Sequence, residues 1–106
     1  MVRHTILIKA RTDISSEMID NVISHFCDLK NSVHGITTIV GGACNFHDEK
    51  SSNFFSGVFS HGISIDFKDQ AAYDAFLSDR STLPAKNKIL DIAQGEYDGL
   101  VGFDFF

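Results

Sequence analysis

Residues Phe59 to Phe67 read FSHGISIDF and alternate without a fault. Phe59, His61, Ile63, Ile65 and Phe67 fall on one face of an extended chain, while Ser60, Gly62, Ser64 and Asp66 fall on the other. Side chains on a strand alternate with a period of two, so this stretch predicts a strand with one buried face. It also sets an ionisable ring, His61, in the middle of an apolar row.

The rest of the chain supplies three more strands and the helices between them. VRHTILIK, Val2 to Lys9, is rich in β-branched residues and predicts a first strand. From Glu17 to Val33, the positions Met18, Ile19, Val22, Ile23, Phe26, Leu29 and Val33 are spaced by threes and fours, the stripe of an amphipathic helix. Ser15 or Ser16 suits its N-cap and Gly35 its end. ITTIV, Ile36 to Val40, predicts a second strand, and Gly41 to Gly57 a long loop of the kind that carries function. After the alternating strand, Asp69 caps a helix over Gln70 to Asp79 with Ala72, Tyr73, Phe76 and Leu77 inward. Pro84 opens a further helix with Ile89, Leu90 and Ala93 inward, and Gly95 stops it. GLVGFDFF closes the chain as a last strand. The order β-α-β-β-α-α-β predicts one domain over residues 1–106: a ferredoxin-like α+β subunit with strand order 4-1-3-2, antiparallel throughout.

Bulk properties exclude several functions. The chain has 106 residues, enough for one core. Its formal charge is −5, and no basic cluster stands out to meet phosphates. Nucleic acid and anionic membrane are therefore not expected partners. No stretch reaches transmembrane length, and the N-terminal apolar run is too short for a signal peptide. Two cysteines, Cys27 and Cys44, read as reduced thiols, so a cytoplasmic location is expected. Cys44 and His47 have a spacing that suits zinc, but no second pair completes a site, and neither metal nor cofactor is expected.

Aligning the last strand against the first by their midpoints pairs His4 with Asp104, Ile6 with Gly102 and Ile8 with Leu100. The opposite face then pairs Arg3 with Phe105, Thr5 with Phe103 and Leu7 with Val101. Helices cover one face. The other leaves Leu7, Val101, Phe103 and Phe105 in the open, a patch that soluble monomers avoid. A second copy packed sheet to sheet removes it, which predicts a symmetric homodimer.

On the helix-covered face, parity brings His4 and His61 toward the same helix–sheet space. His4, His61 and Asp104 are the acid–base candidates, because burial and a carboxylate tune an imidazole near neutral pH. Ile6, Ile8, Phe26, Ile63, Tyr73 and Phe76 are the expected ligand-contacting walls. Each polar candidate also has a plain structural reading. The histidines can be hydrogen-bonded core residues, Asp104 can sit solvated at a strand end, and Tyr73 can pack its ring and keep its tip wet.

RHTILIK, HGISIDFKDQAAYDAFLSD and the terminal GFDF together resemble the stress-responsive A/B barrel domain, a family of dimeric α+β barrels. The resemblance spans Val2 to Phe105 and rests on order and spacing. It implies a ferredoxin-like subunit that dimerises through its sheets. The family includes plant stress proteins and a polyketide cyclase, olivetolic acid cyclase, whose chemistry lies between helices and sheet. His4, His61 and Asp104 match positions lining that pocket. Phe76 falls where the cyclase has a tyrosine, and Ser81 or Thr82 where it has a histidine. A hydroxyl without a base does not replace an imidazole in proton transfer near neutral pH. Three functions follow as expectations: a non-catalytic dimer binding a small apolar or aromatic ligand, a cofactor-free cyclase, isomerase or monooxygenase using His4 or His61 with Asp104, or a protective subunit of a larger assembly.

Overall fold

The structure, a computed structural model, describes residues 1–44 and 59–106. Its strands are β1 (Val2–Ile8), β2 (Ile36–Ala43), β3 (His61–Phe67) and β4 (Leu100–Phe105). The α-helices among the described residues are α1 (Ser16–Cys27), α2 (Gln70–Ser78) and α3 (Leu83–Ile92); 3-10 turns follow each of them, at Asp28–Asn31, Arg80–Thr82 and Glu96–Gly99. The strands form one antiparallel sheet in the order β2-β3-β1-β4, the arrangement expected from the chain order.

Local chemistry sets the helix ends. The Ser15 side chain accepts from the Met18 amide, and Asp69 accepts from that of Ala72, so α1 and α2 each begin on a capped turn. α1 stops at Cys27, earlier than the apolar stripe alone suggests, and the chain tightens into a 3-10 turn over Asp28–Asn31. Gly35 then enters β2 at φ 95°, and a Cβ there would stand 2.5 Å from that of Ala72. Both the dihedral and the contact require glycine.

β2 runs three residues beyond the predicted strand. Gly41, Gly42 and Ala43 pair with Ile63, Gly62 and His61, and the Cys44 amide donates to the Ser60 carbonyl at 2.8 Å. The N-terminal part of the expected Gly41–Gly57 loop is therefore sheet. Its glycines hid it, because glycine is depleted in strands. Residues 45–58 of that loop, His47 among them, lie outside the described residues.

The core lies between the sheet and the helices. Ile8, Ile63, Ile65 and Phe67 are buried on the sheet side, and Ile19, Ile23, Phe26, Tyr73, Phe76 and Ile89 on the helix side. Among the described residues, no helix covers the opposite sheet face. Three cross-strand rows show on it: Thr38, Asp66, Arg3 and Phe105; Val40, Ser64, Thr5 and Phe103; Gly42, Gly62, Leu7 and Val101. Phe105 is 60% exposed and Val101 45%, and the Phe103 and Phe105 rings meet edge to face at 5.6 Å. Arg3 spans to Asp66 through two hydrogen bonds of 2.7 and 3.0 Å.

Candidate functional site

The site starts from strand register. His4 of β1 stands directly opposite Asp104 of β4, and parity puts both on the helix side. The Nδ1 atom of His4 hydrogen-bonds Oδ1 of Asp104. From α2, the Tyr73 hydroxyl donates to Oδ2 of the same carboxylate at 2.8 Å. One carboxylate thus holds an imidazole and a phenol, each on its own oxygen.

Packing holds these partners in place. The Tyr73 ring lies 5.2 Å from Phe67 and 5.6 Å from His4, centroid to centroid. Gly102, the next residue of β4 on this face, leaves room for the imidazole: a Cβ there would sit 3.4 Å from Cε1 of His4. Burial pushes the Asp104 carboxyl upward, but hydrogen bonds from His4 and Tyr73, with the His4 charge, outweigh it and leave it below its ordinary value. Burial, followed by the bond and charge of Asp104, pushes the Tyr73 hydroxyl up to about 12. Near neutral pH the carboxylate is therefore ionised and the phenol protonated. An ionised carboxylate only accepts, so Nδ1 of His4 is the donor. The other ring nitrogen, Nε2, has no hydrogen-bond partner among the described residues.

His4 also lines a cavity of about 260 Å³ between helices and sheet. The sheet contributes His4, Ile6 and Leu100, and the helices contribute Phe26, Phe76, Leu83, Lys86 and Ile89. A larger groove of about 650 Å³ between α1 and α3 is rimmed by Arg11, Glu17, Lys88 and Asp91 and lies away from the His4–Asp104 pair. Mixed charge around a surface groove orients nothing in particular, so the smaller cavity is the candidate site.

The structure distributes the expected site residues unevenly. His4, Asp104 and Tyr73 come together, and Ile6, Phe26 and Phe76 line the cavity beside them. Ile8 and Ile63 are instead core residues, 0% and 1% exposed, and do not line it. His61 faces the helices, as its row requires, but at the other end of the sheet. It pairs with Ile8 and Ala43, and its Nδ1 meets the Ser60 hydroxyl at 2.8 Å. His4 pairs with Ile65, four residues along β3 from His61. At ~3.4 Å per residue that separates the two histidines by ~14 Å along the strand. Among the described residues, the cavity that His4 lines is not lined by His61. The Tyr73 tip likewise departs from both readings of it, since it is neither wet nor free but bound to Asp104.

Four cavity residues went unrecognised in the sequence: Leu83, Lys86, Asn87 and Tyr97. Lys86 carried a signal, three residues after Leu83 and four before Leu90, on one helical stripe. Thr82, which with Ser81 is one of the two residues matched to the cyclase histidine, is fully buried and donates to the Asp79 carbonyl at 2.7 Å. It is a structural hydroxyl in the turn before α3. Burial pushes both cysteine thiols up, with Asp28 adding to the effect at Cys27, which opposes a thiolate nucleophile. Among the described residues, no group of three or more His, Cys, Asp or Glu side chains could hold a metal ion. Among them also, no helix is long and apolar enough to cross a membrane.

A ferredoxin-like α+β subunit with one sheet face open and a small cavity under the other describes a definite class of protein. The model of the stress responsive A/B barrel domain matches residues 2–106. The chain belongs to that family. Solved structures share the fold at low identity. A dimeric ferredoxin-like protein of unknown function from Jannaschia sp. CCS1 is 18% identical with a TM-score of 0.81, over 99% of this chain and 97% of that one. A protein of Arabidopsis thaliana is 15% identical with a TM-score of 0.82, over 100% and 94%. The hydroxynitrile lyase of Passiflora edulis is 17% identical with a TM-score of 0.80, over 98% and 90%. No curated protein matches the chain in sequence.

Proposed function

We propose that two copies of the chain pack sheet to sheet through Leu7, Val101, Phe103 and Phe105, and that each subunit binds a small apolar or aromatic molecule beside His4. One observation carries the ligand reading: an apolar cavity ends on an imidazole whose orientation is set by a carboxylate. The dimer reading rests on the uncovered apolar face and on similar structures described as dimeric. Cys27 and Cys44 are free thiols, in keeping with a reducing cytosol. Native mass spectrometry of unheated protein tests both parts. A dimer carrying extra mass is the expected result, and Phe103→Asp yields monomer. A stable wild-type monomer overturns the dimer, and failure of every apolar probe to add mass overturns the cavity reading.

A second reading is favoured by the shared carboxylate. Asp104 orients His4 much as an acid orients a catalytic base, leaving Nε2 free to take a proton. In this reading the protein is a cofactor-free enzyme that removes a proton beside a carbonyl of the bound molecule. The Passiflora edulis lyase supports it to the extent that a similar fold carries an enzyme. Deuterium uptake by phenylacetone in heavy water, followed by NMR, provides the test. Uptake above buffer that disappears in a folded His4→Ala variant supports catalysis, and equal uptake in both proteins refutes it for this substrate class.

A further inference from the structure

Lys86 puts a cation into the wall of an otherwise largely apolar cavity. It lies on the α3 stripe with Leu83 and Leu90, so its apolar stem follows theirs. Its Nζ donates to the Phe76 carbonyl at 2.9 Å and stands 4.2 Å from the centroid of the Phe76 ring. That carbonyl belongs to the last turn of α2, where a cation meets the negative end of the helix dipole. An ammonium has three donors, and only this one is engaged among the described residues. The other polar side chains on the wall are His4, Asn87 and Tyr97, with no carboxylate among them. Burial pushes the Lys86 ammonium below its ordinary value, and the Asp79 charge pushes it partly back. A charge penalised by burial gains more from an incoming anion than one already solvated.

Size narrows the partner further. An apolar cavity of ~150 Å³ takes benzene. At about 260 Å³ this one has room for a single substituted ring. We propose that the cavity selects a one-ring aromatic carboxylate, with the ring among Ile6, Phe26 and Ile89 and the carboxylate on Nζ of Lys86. This rests on the cavity reading above and adds the charge of the ligand to it.

The test is calorimetric titration of the intact protein near neutral pH with 4-ethylbenzoate and its neutral analogue 4-ethylbenzamide. Wild type is expected to prefer the benzoate by roughly tenfold, the scale of one charge-assisted hydrogen bond. Lys86→Met keeps the apolar stem and loses the charge. It should abolish the preference while binding the amide as wild type does, and Lys86→Arg should retain it. Lys86→Gln serves the same purpose if the methionine variant does not fold. A lysine that only caps α2 would lower the melting temperature in Lys86→Met and leave the benzoate-to-amide ratio unchanged, which overturns the proposal. Amide binding without a benzoate preference in wild type overturns it alone. Absence of binding by either probe overturns it together with the cavity reading.

Discussion

His4 and His61 occupy equivalent rows of one sheet face and have opposite surroundings. His4 is bonded to a carboxylate that also holds Tyr73, and it looks into a cavity. His61 is 8% exposed, bonded to a neighbouring hydroxyl, and lies at the end of β3 where the chain enters the sheet. The difference comes from register. Parity along a strand decides which face a side chain takes, and antiparallel pairing decides how far along that face it sits. The two histidines share the first property and not the second. A functional argument from parity alone therefore groups residues that never meet.

The largest expected effect comes from removing the carboxylate at the His4 end. Asp104→Ala leaves the Tyr73 hydroxyl buried without an acceptor and frees the imidazole. Losing hydrogen bonds to a charged group and orphaning a buried donor should cost about 2–3 kcal/mol. For a chain of this length that lowers the melting temperature by roughly 10–20 °C. The pH dependence has a definite sign. Because the folded Asp104 carboxyl lies below its ordinary value, its stabilisation is present above the ordinary carboxylate range and is lost as the pH falls through the folded value. Wild type should lose stability on that acid limb, and Asp104→Ala should flatten it. Melting curves from neutral to acid pH check both statements.

Tyr73→Phe removes one bond and leaves His4 paired, with an expected cost of about 1.5 kcal/mol. Its signature is alkaline. The folded hydroxyl is raised to about 12, so its contribution is complete below the unfolded value of about 10 and disappears as the pH rises through 12. Wild-type stability should fall across that window more steeply than that of Tyr73→Phe. Equal slopes would mean that the Tyr73–Asp104 bond does not stabilise the protein in solution.

Much of the His4 end was legible in advance. Midpoint alignment of β1 with β4 paired His4 with Asp104, and the observed register is the same. Both faces are partly apolar here, and this register is the one that keeps Ile6, Ile8 and Leu100 together on the helix side, where a one-residue slip would flip them. The same alignment of Val2–Lys9 with Phe59–Phe67 sets His61 near Ile8, so the separation of the histidines was also within reach. Other features were not. That Tyr73 points at Asp104 depends on how α2 packs on Phe67, a tertiary contact with no local signature. The continuation of β2 through Gly41 and Gly42 was hidden by residues that ordinarily end strands. A Cβ on Gly41 would stand 2.8 Å from Cγ2 of Ile23, so this glycine is required by the approach of α1 and not by a turn.

At the other end, His61→Gln keeps a hydrogen-bonding group for Ser60 and loses ring packing. A cost of about 1 kcal/mol is expected, with no change in cavity binding. His4→Ala should change binding of any cavity ligand. If His61→Gln alters affinity as much as His4→Ala does, the two ends are coupled and the contrast between them fails.

The smallest effect sharpens the contrast most. Gly102 sits at an ordinary β position, so adding a methyl group there tests space and not backbone strain. The added Cβ would lie 3.4 Å from Cε1 and 3.9 Å from Nε2 of His4. Those separations are near van der Waals contact, so the ring has to yield little and the cost should stay within about 0.5 kcal/mol. The imidazole is nevertheless fixed on one side by Asp104 and now touched on the other. Gly102→Ala should therefore shift the His4 ring resonances in an NMR titration and leave those of His61 where they were. A larger destabilisation with unmoved His4 signals would mean that the ring does not lie over Gly102, and that the free Nε2 does not face the cavity in the way the site requires.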